Sequence, residues 1–133
     1  MRKLLSLTIV FGFAFQASAQ SPDATIFKTG DVPWDAGPEN GITLKRFNGN
    51  LARINLVRWA DGTSAASHTH ATEQILYIQS GRYRVTIEDE VHILEAGDLI
   101  IFPSFLPHGI DALEDSSHIA VFAPAALPPT DSE

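Results

Sequence analysis

The sequence holds five histidines, His68, His70, His92, His108 and His118. His68-Thr69-His70 is the informative pair. In an extended strand, residues i and i+2 point to one face. Two imidazoles so placed reach one metal ion as adjacent ligands. If the strand is regular, the inward series is even-numbered, and Gln74 falls in it after a short link. Its amide oxygen is a hard, neutral donor suited to sit beside imidazoles on Mn, Fe, Ni or Zn. Glu73 then points outward unless the link shifts the phase, so it stays an alternative to Gln74. His108 opens a later apolar segment, and Pro107 fixes the backbone that enters it. An H-x-H pair alone is weak. Two separate histidine motifs converging on one interior are harder to explain as core residues. His92, between Val91 and Ile93, reads as a surface strand residue. His118 reads as structural, near the mouth of the interior.

Other side chains could serve such a site. Arg53, Asn55 and Trp59 share one strand face, and a guanidinium there would clamp a carboxylate bidentately. The plainer expectation is that Arg53, Arg58, Arg82 and Arg84 pair with surface acids. Tyr83, His118 and Glu73 are the candidates for a second titratable group near an open metal position. There is no G-x-S-x-G, phosphate loop or dinucleotide fingerprint.

Composition narrows the classes. The chain has 133 residues, 44% of them apolar and 19% charged, which suits one domain with a buried core. Nine basic against sixteen acidic residues give a net charge of −7. That balance argues against nucleic acid as a partner, which requires a basic stripe. The absence of cysteine removes disulfides, thiolate metal sites and cysteine nucleophiles.

Residues 1–19 have the layout of a secretory signal peptide. Arg2 and Lys3 precede an apolar run from Leu4 to Phe15, and Ala17-Ser18-Ala19 supplies a small-residue cleavage pattern. The run falls short of the ~20 residues a membrane span needs, so the mature chain is expected to carry no stable span. Cleavage removes two positive charges and takes the net charge from −7 to −9. The expected location is periplasmic or secreted.

Residues 20–41 are dense in proline and glycine and read as an extended arm, with one short strand around Thr25–Lys28. It either crosses to a partner or covers its own sheet. Eight strands follow within residues 42–123: Ile42–Phe47, Leu51–Trp59, Gln74–Gln79, Arg82–Ile87, Val91–Leu94, Leu99–Phe102, Pro107–Ala112 and His118–Ala123. Turn residues such as Asp61-Gly62, Ser80-Gly81 and Gly97-Asp98 separate them. The pattern predicts an all-β fold, a small antiparallel β-barrel or jelly roll. Residues 124–133 read as a loose tail.

The sequence resembles the cupin superfamily over roughly Ile42 to Ala123. The first cupin motif runs G, five residues, H-x-H, three or four residues, E, six residues, G. Here it reads Gly62, His68-Thr69-His70, Gln74 and Gly81 at those spacings. The second runs G, five residues, P-x-G, two residues, H, three residues, N. Here it reads Gly97, Pro103-Ser104-Phe105, His108 and Ala112. The resemblance implies one divalent transition metal near the barrel mouth (Mn, Fe, Ni, Cu or Zn) held by His68, His70, Gln74 and His108. It also implies frequent homodimers. Gln74 stands where the family usually has Glu. A neutral ligand set leaves the ion its full charge, which favours polarising an anionic or carbonyl substrate. Phe105 and Ala112 replace a Gly and an Asn, read as tolerated variation.

The expectation is an exported, metal-dependent enzyme of dioxygenase or isomerase/lyase type acting on a small organic molecule. The alternative is a non-catalytic module that binds or senses a small ligand or metal. Fold alone does not separate the two.

Overall fold

The computed structural model describes residues 23–124. The expected signal peptide and all but the first residue of the expected tail lie outside them. Among the described residues there are ten strands. They are β1 (Asp35–Ala36), β2 (Ile42–Asn48), β3 (Arg53–Trp59), β4 (Ser64–His68), β5 (Glu73–Ser80), β6 (Arg82–Ile87), β7 (Glu90–Glu95), β8 (Leu99–Phe102), β9 (His108–Ala112) and β10 (Ser116–Ala123). One sheet has the order β1-β2-β3-β10-β5-β8, the other β4-β9-β6-β7, and the pairs are antiparallel. This is the jelly roll that the alternating pattern predicts. No described helix is long and apolar enough to cross a membrane.

Two strands lie outside the eight expected segments, β1 and β4, the second ending at the His68 that the H-x-H spacing places on extended backbone. Ser64–His68 holds no run of β-branched or aromatic residues, so propensity is silent there. It forms a strand because β9 pairs with it, through a register irregularity between Ala65 and His68. The short strand expected at Thr25–Lys28 is absent. That stretch is irregular and leads into a 3-10 turn at Thr29–Asp31.

The two sheets bury their facing sides. β10 alternates strictly, with Ser116, His118, Ala120 and Phe122 turned inward. Leu76, Ile78, Tyr83, Val85 and Phe102 are buried to within 2% and form the middle of the core. Burying each such aliphatic side chain contributes about 2 kcal/mol. β2 breaks the alternation, because Leu44 and Lys45 are both buried. The arm explains this. It covers the outer side of its own sheet, where Thr29 O accepts from Lys45 Nζ at 2.6 Å. Phe27 meets Phe47 edge-on at 5.1 Å, and the Arg58 guanidinium lies 3.9 Å from the Trp34 ring centre.

The arm leaves the rest of that outer face open. Two cross-strand rows run over β3, β10, β5 and β8: Ile54, Val121, Ile75, Ile101 and Leu56, Ile119, Tyr77, Leu99. Ile54, Tyr77, Leu99 and Ile101 are exposed.

Gly81 closes the β5–β6 turn at φ +74°, in the left-handed region that a side chain resists. A Cβ there would also run into Ser116 and the Asp115 carbonyl. Gly62 has a similar φ of +75° with open space around it. Gly81→Ala is therefore expected to lower the unfolding free energy by roughly 3 kcal/mol and Gly62→Ala by about 1 kcal/mol. Urea titration of the two variants checks this, and equal losses would show that the clash at Gly81 relaxes away.

Candidate metal centre

β4 delivers His68 as its last residue, and His70 lies just beyond the strand. The regular strand assumed from the H-x-H spacing thus stops at His68, yet both rings turn to the same place. Their centroids are 4.8 Å apart. The β4–β9 ladder pairs His68 directly with His108, with ring centroids 4.6 Å apart. Ligand nitrogens of His68, His70 and His108 all lie within 4.8 Å of one another. Two distant segments of the sequence meet there because one ladder joins them.

The rings are aimed by the backbone. His68 Nδ1 donates to Ala66 O at 2.8 Å, and His108 Nδ1 donates to Leu106 O at 2.9 Å. A carbonyl only accepts, so each Nδ1 carries the proton and each Nε2 presents a lone pair. Phe102 stacks on His108 at 3.9 Å and 11°, and Phe122 meets His70 edge-on at 5.3 Å. The loop before His108 is tied to the other motif, because the Phe105 N–H donates to His70 O at 2.7 Å. Phe105 occupies the motif glycine position at φ +65°. That left-handed backbone is what a glycine supplies without strain.

Burial pushes the His70 imidazole down to about 4, helped by His68, His108 and Arg53. Burial also lowers His108, although its bond to the Leu106 carbonyl opposes the shift. Both rings are thus kept neutral, the form that binds metal.

Gln74 and Glu73 separate cleanly. Gln74 is buried and faces inward, while Glu73 is exposed on the outer side of β5. Gln74 lines a cavity of about 520 Å³ with His68 and His70, and Arg46, Arg53, Asn55, Trp59, His118 and Phe122 share its wall. Five buried side-chain atoms lack a hydrogen-bond partner among the described residues: Gln74 Oε1, His108 Nε2, Arg53 Nε, Asn55 Oδ1 and Trp59 Nε1. Four belong to residues lining this cavity, and the fifth belongs to the histidine trio. An unpaired buried polar atom costs about 1–3 kcal/mol. Such costs gathered in one place mark a site that binds something. At the metal end, Gln74 Oε1 and His108 Nε2 are the atoms an ion would satisfy, so the donor set fits a divalent metal.

The arginines divide. Arg82 pairs with Glu114 at 3.3 Å and Arg84 with Asp111 at 3.7 Å, at the surface as expected. Arg53 departs from that expectation. It lies over the Phe122 ring at 4.3 Å and reaches the cavity. Burial, then Arg46, lowers its pKa. Neither Arg46 nor Arg53 has an ion-pair partner among the described residues. The sequence reading had passed over Arg46 and Glu39. Glu39, from the arm, is the one carboxylate among the described lining residues. His92 stays outside, 3.5 Å from Glu90. His118 lines the cavity, and its Nδ1 lies 2.9 Å from the Tyr83 hydroxyl.

Residues 55–123 match the family described as the cupin domain. The chain belongs to the cupins. It is 32% identical over 92 residues to the pectin degradation protein KdgF of Dickeya dadantii, covering 65% of this chain and 80% of that one. It is 40% identical over 73 residues to the oxalate decarboxylase OxdC of Bacillus subtilis, but those residues span 51% of this cupin and only 19% of that enzyme. Among solved structures, KdgF from Halomonas sp. superposes with a TM-score of 0.72 at 29% identity, over 78% of this cupin and 96% of that chain.

His118 carries an acid signature. Its folded pKa is pushed down to about 4 by burial, against 6.5 for the free side chain. Below pH 6.5 the unfolded chain takes up a proton that the folded chain refuses. Stability is full at neutral pH and falls between pH 6.5 and 4, by on the order of 3 kcal/mol at the low end. In metal-free protein His70 adds a loss of the same sign. Urea midpoints across that window should fall steeply, and less steeply in His118→Phe. An unchanged slope in the variant would contradict this assignment.

Proposed function

We propose that this cupin is an exported metal-dependent enzyme of isomerase or lyase type acting on a small carboxylate-bearing molecule. The observation that carries the reading is the gathering of buried polar atoms without partners among the described residues around one cavity, with a histidine trio at one end and on its wall two arginines that form no ion pair among those residues. His68, His70, His108 and Gln74 would hold the ion. Such an ion, when bound, supplies Lewis-acid polarisation of an oxygen. Arg53 binds the substrate carboxylate and Arg46 reinforces the positive field at that side. The Phe122 ring under Arg53 holds the guanidinium plane in place. Apart from the histidines of the metal end and the arginines, His118 and Glu39 are the titratable side chains on the wall, and they are the groups placed to exchange protons with a bound substrate. The names of the relatives agree with this substrate class, since pectin is a polymer of a sugar acid and oxalate is a dicarboxylate. The layout of residues 1–19 supports export.

A binding module is the second reading. It is favoured by Glu39 being exposed and the sole lining carboxylate, which leaves the interior short of an ionised base.

We also propose that two copies pair through the open rows on β3, β10, β5 and β8. The rows carry no charge, and their ends are marked by Glu73 on β5 and Arg58 on β3. A two-fold axis lying in the interface, perpendicular to the line from Glu73 to Arg58, would set each copy's Glu73 against the other's Arg58. Light scattering should give a dimer mass, and Tyr77→Lys with Ile101→Glu should give a monomer. A monomeric native protein rejects the pairing.

The enzyme reading is checked by metal analysis of untagged protein prepared without chelators, followed by titration calorimetry. About one divalent ion per chain is expected, lost in His108→Ala. Arg53→Leu should keep the metal and bind D-galacturonate and oxalate about 10- to 100-fold more weakly. Absence of metal, before and after reconstitution, would sink the metal reading. Metal and carboxylate binding without turnover of pectin-derived acids, followed by proton NMR, would establish the binding module.

A further inference from the structure

The wall formed by β3 and β10 holds polar atoms that neither the metal end nor Arg53 uses. Asn55 and Trp59 are inward residues of β3, each 6% exposed. His118 is inward on β10, 4% exposed, opposite Val57 and so between the two. Among the described residues, Asn55 Oδ1 is a buried acceptor without a donor, and Trp59 Nε1 a buried donor without an acceptor. All three residues line the cavity.

The tautomer of His118 follows from its partner. Tyr83 is 1% exposed, and its hydroxyl contacts His118 Nδ1 at 2.9 Å. Burial pushes the phenol up, so it keeps its proton. Among the described residues, Nδ1 is the only partner of that hydroxyl. A buried O–H that does not donate is costly. Tyr83 therefore donates, and Nδ1 accepts. The proton of the neutral imidazole then resides on Nε2. His118 thus has a fixed N–H donor left over for the cavity. Trp59 packs beside it, with ring centroids 6.2 Å apart, and Tyr83 meets Trp59 edge-on at 5.7 Å. No charged side chain takes part in this cluster of rings.

We propose that this wall is a hydroxyl-recognition subsite, in which His118 Nε2–H and Trp59 Nε1–H donate to, and Asn55 Oδ1 accepts from, the hydroxyl groups of a polyhydroxylated carboxylic acid. The proposal rests on the carboxylate reading of Arg53 and deepens it by naming the remainder of the ligand. Two donors beside one acceptor suit a pair of neighbouring hydroxyls, because each hydroxyl both accepts and donates. A site built to bond hydroxyls rejects the analogue that lacks them, since its buried groups then go unpaired. Tyr83 touches no ligand and acts as a positioning residue for His118.

The test compares D-galacturonate with cyclohexanecarboxylate by titration calorimetry on full-length protein carrying its own metal. The second acid keeps the ring and carboxylate and lacks the hydroxyls. Native protein should bind D-galacturonate more tightly. His118→Phe should weaken D-galacturonate about tenfold or more, leaving cyclohexanecarboxylate and metal content unchanged. Nitrogen-15 NMR of native protein should show His118 protonated on Nε2, and Tyr83→Phe should release that preference. A native Nδ1–H form overturns the proposal, and so does an equal loss of both acids or no loss of either. If His118→Phe fails to fold, the native tautomer and the Tyr83→Phe titration decide. Native protein that binds neither acid rejects the carboxylate reading and this subsite together. Native protein that binds both acids equally rejects the subsite alone.

Discussion

Two side-chain-to-backbone hydrogen bonds set the terms of this site. His68 and His108 each give their Nδ1–H to the carbonyl two residues earlier, Ala66 and Leu106. The same local arrangement occurs on both sides of one ladder pair. It fixes two tautomers, aims two lone pairs inward and leaves little rotational freedom to lose when an ion binds. The strands that frame it have to supply those carbonyls at the right height. The pairing of β4 with β9 therefore governs the chemistry more than any single ring does.

The interior is built of two materials. Around Leu76, Ile78, Val85 and Phe102 it is apolar and closely packed. Around Gln74, Asn55, Trp59 and His108 it carries polar atoms without partners. The first supports the second. A few unpaired groups together oppose folding by an amount comparable with the whole net stability of a small domain. Such a patch persists only on a scaffold with a sound core elsewhere, and it gains stability from whatever ligand it takes.

Much of this was legible in the residues. Period-two alternation exposed most of the strands, and the two histidine motifs do meet in space, His68 and His70 beside His108, with Gln74 lining the adjoining cavity. Gln74 faces inward and Glu73 outward on β5, as expected, although β4 ends at His68 and no continuous strand carries the parity between them. What escaped depended on partners distant in sequence. β4 is a strand because β9 lies beside it, which no local propensity records. Strand parity left Arg53 two readings, a clamp beside Asn55 and Trp59 or a surface ion pair, and the Phe122 ring that stacks beneath it comes from a distant strand. Glu39 enters the cavity from an arm whose path is set by Lys45, Phe47 and Arg58. The bond between His118 and the Tyr83 hydroxyl joins residues 35 apart, so no local pattern records it.

Phe105 looked like harmless drift from a glycine, but its backbone is one of the joints of the molecule. Its N–H grips the carbonyl of His70, while its ring stands 67% exposed at the rim. A side chain in contact with water is therefore wired, through one peptide group, to a histidine of the inner site. Such a position is a natural place for an optical reporter. A Trp there would signal from the outside whatever happens to the loop when the interior fills.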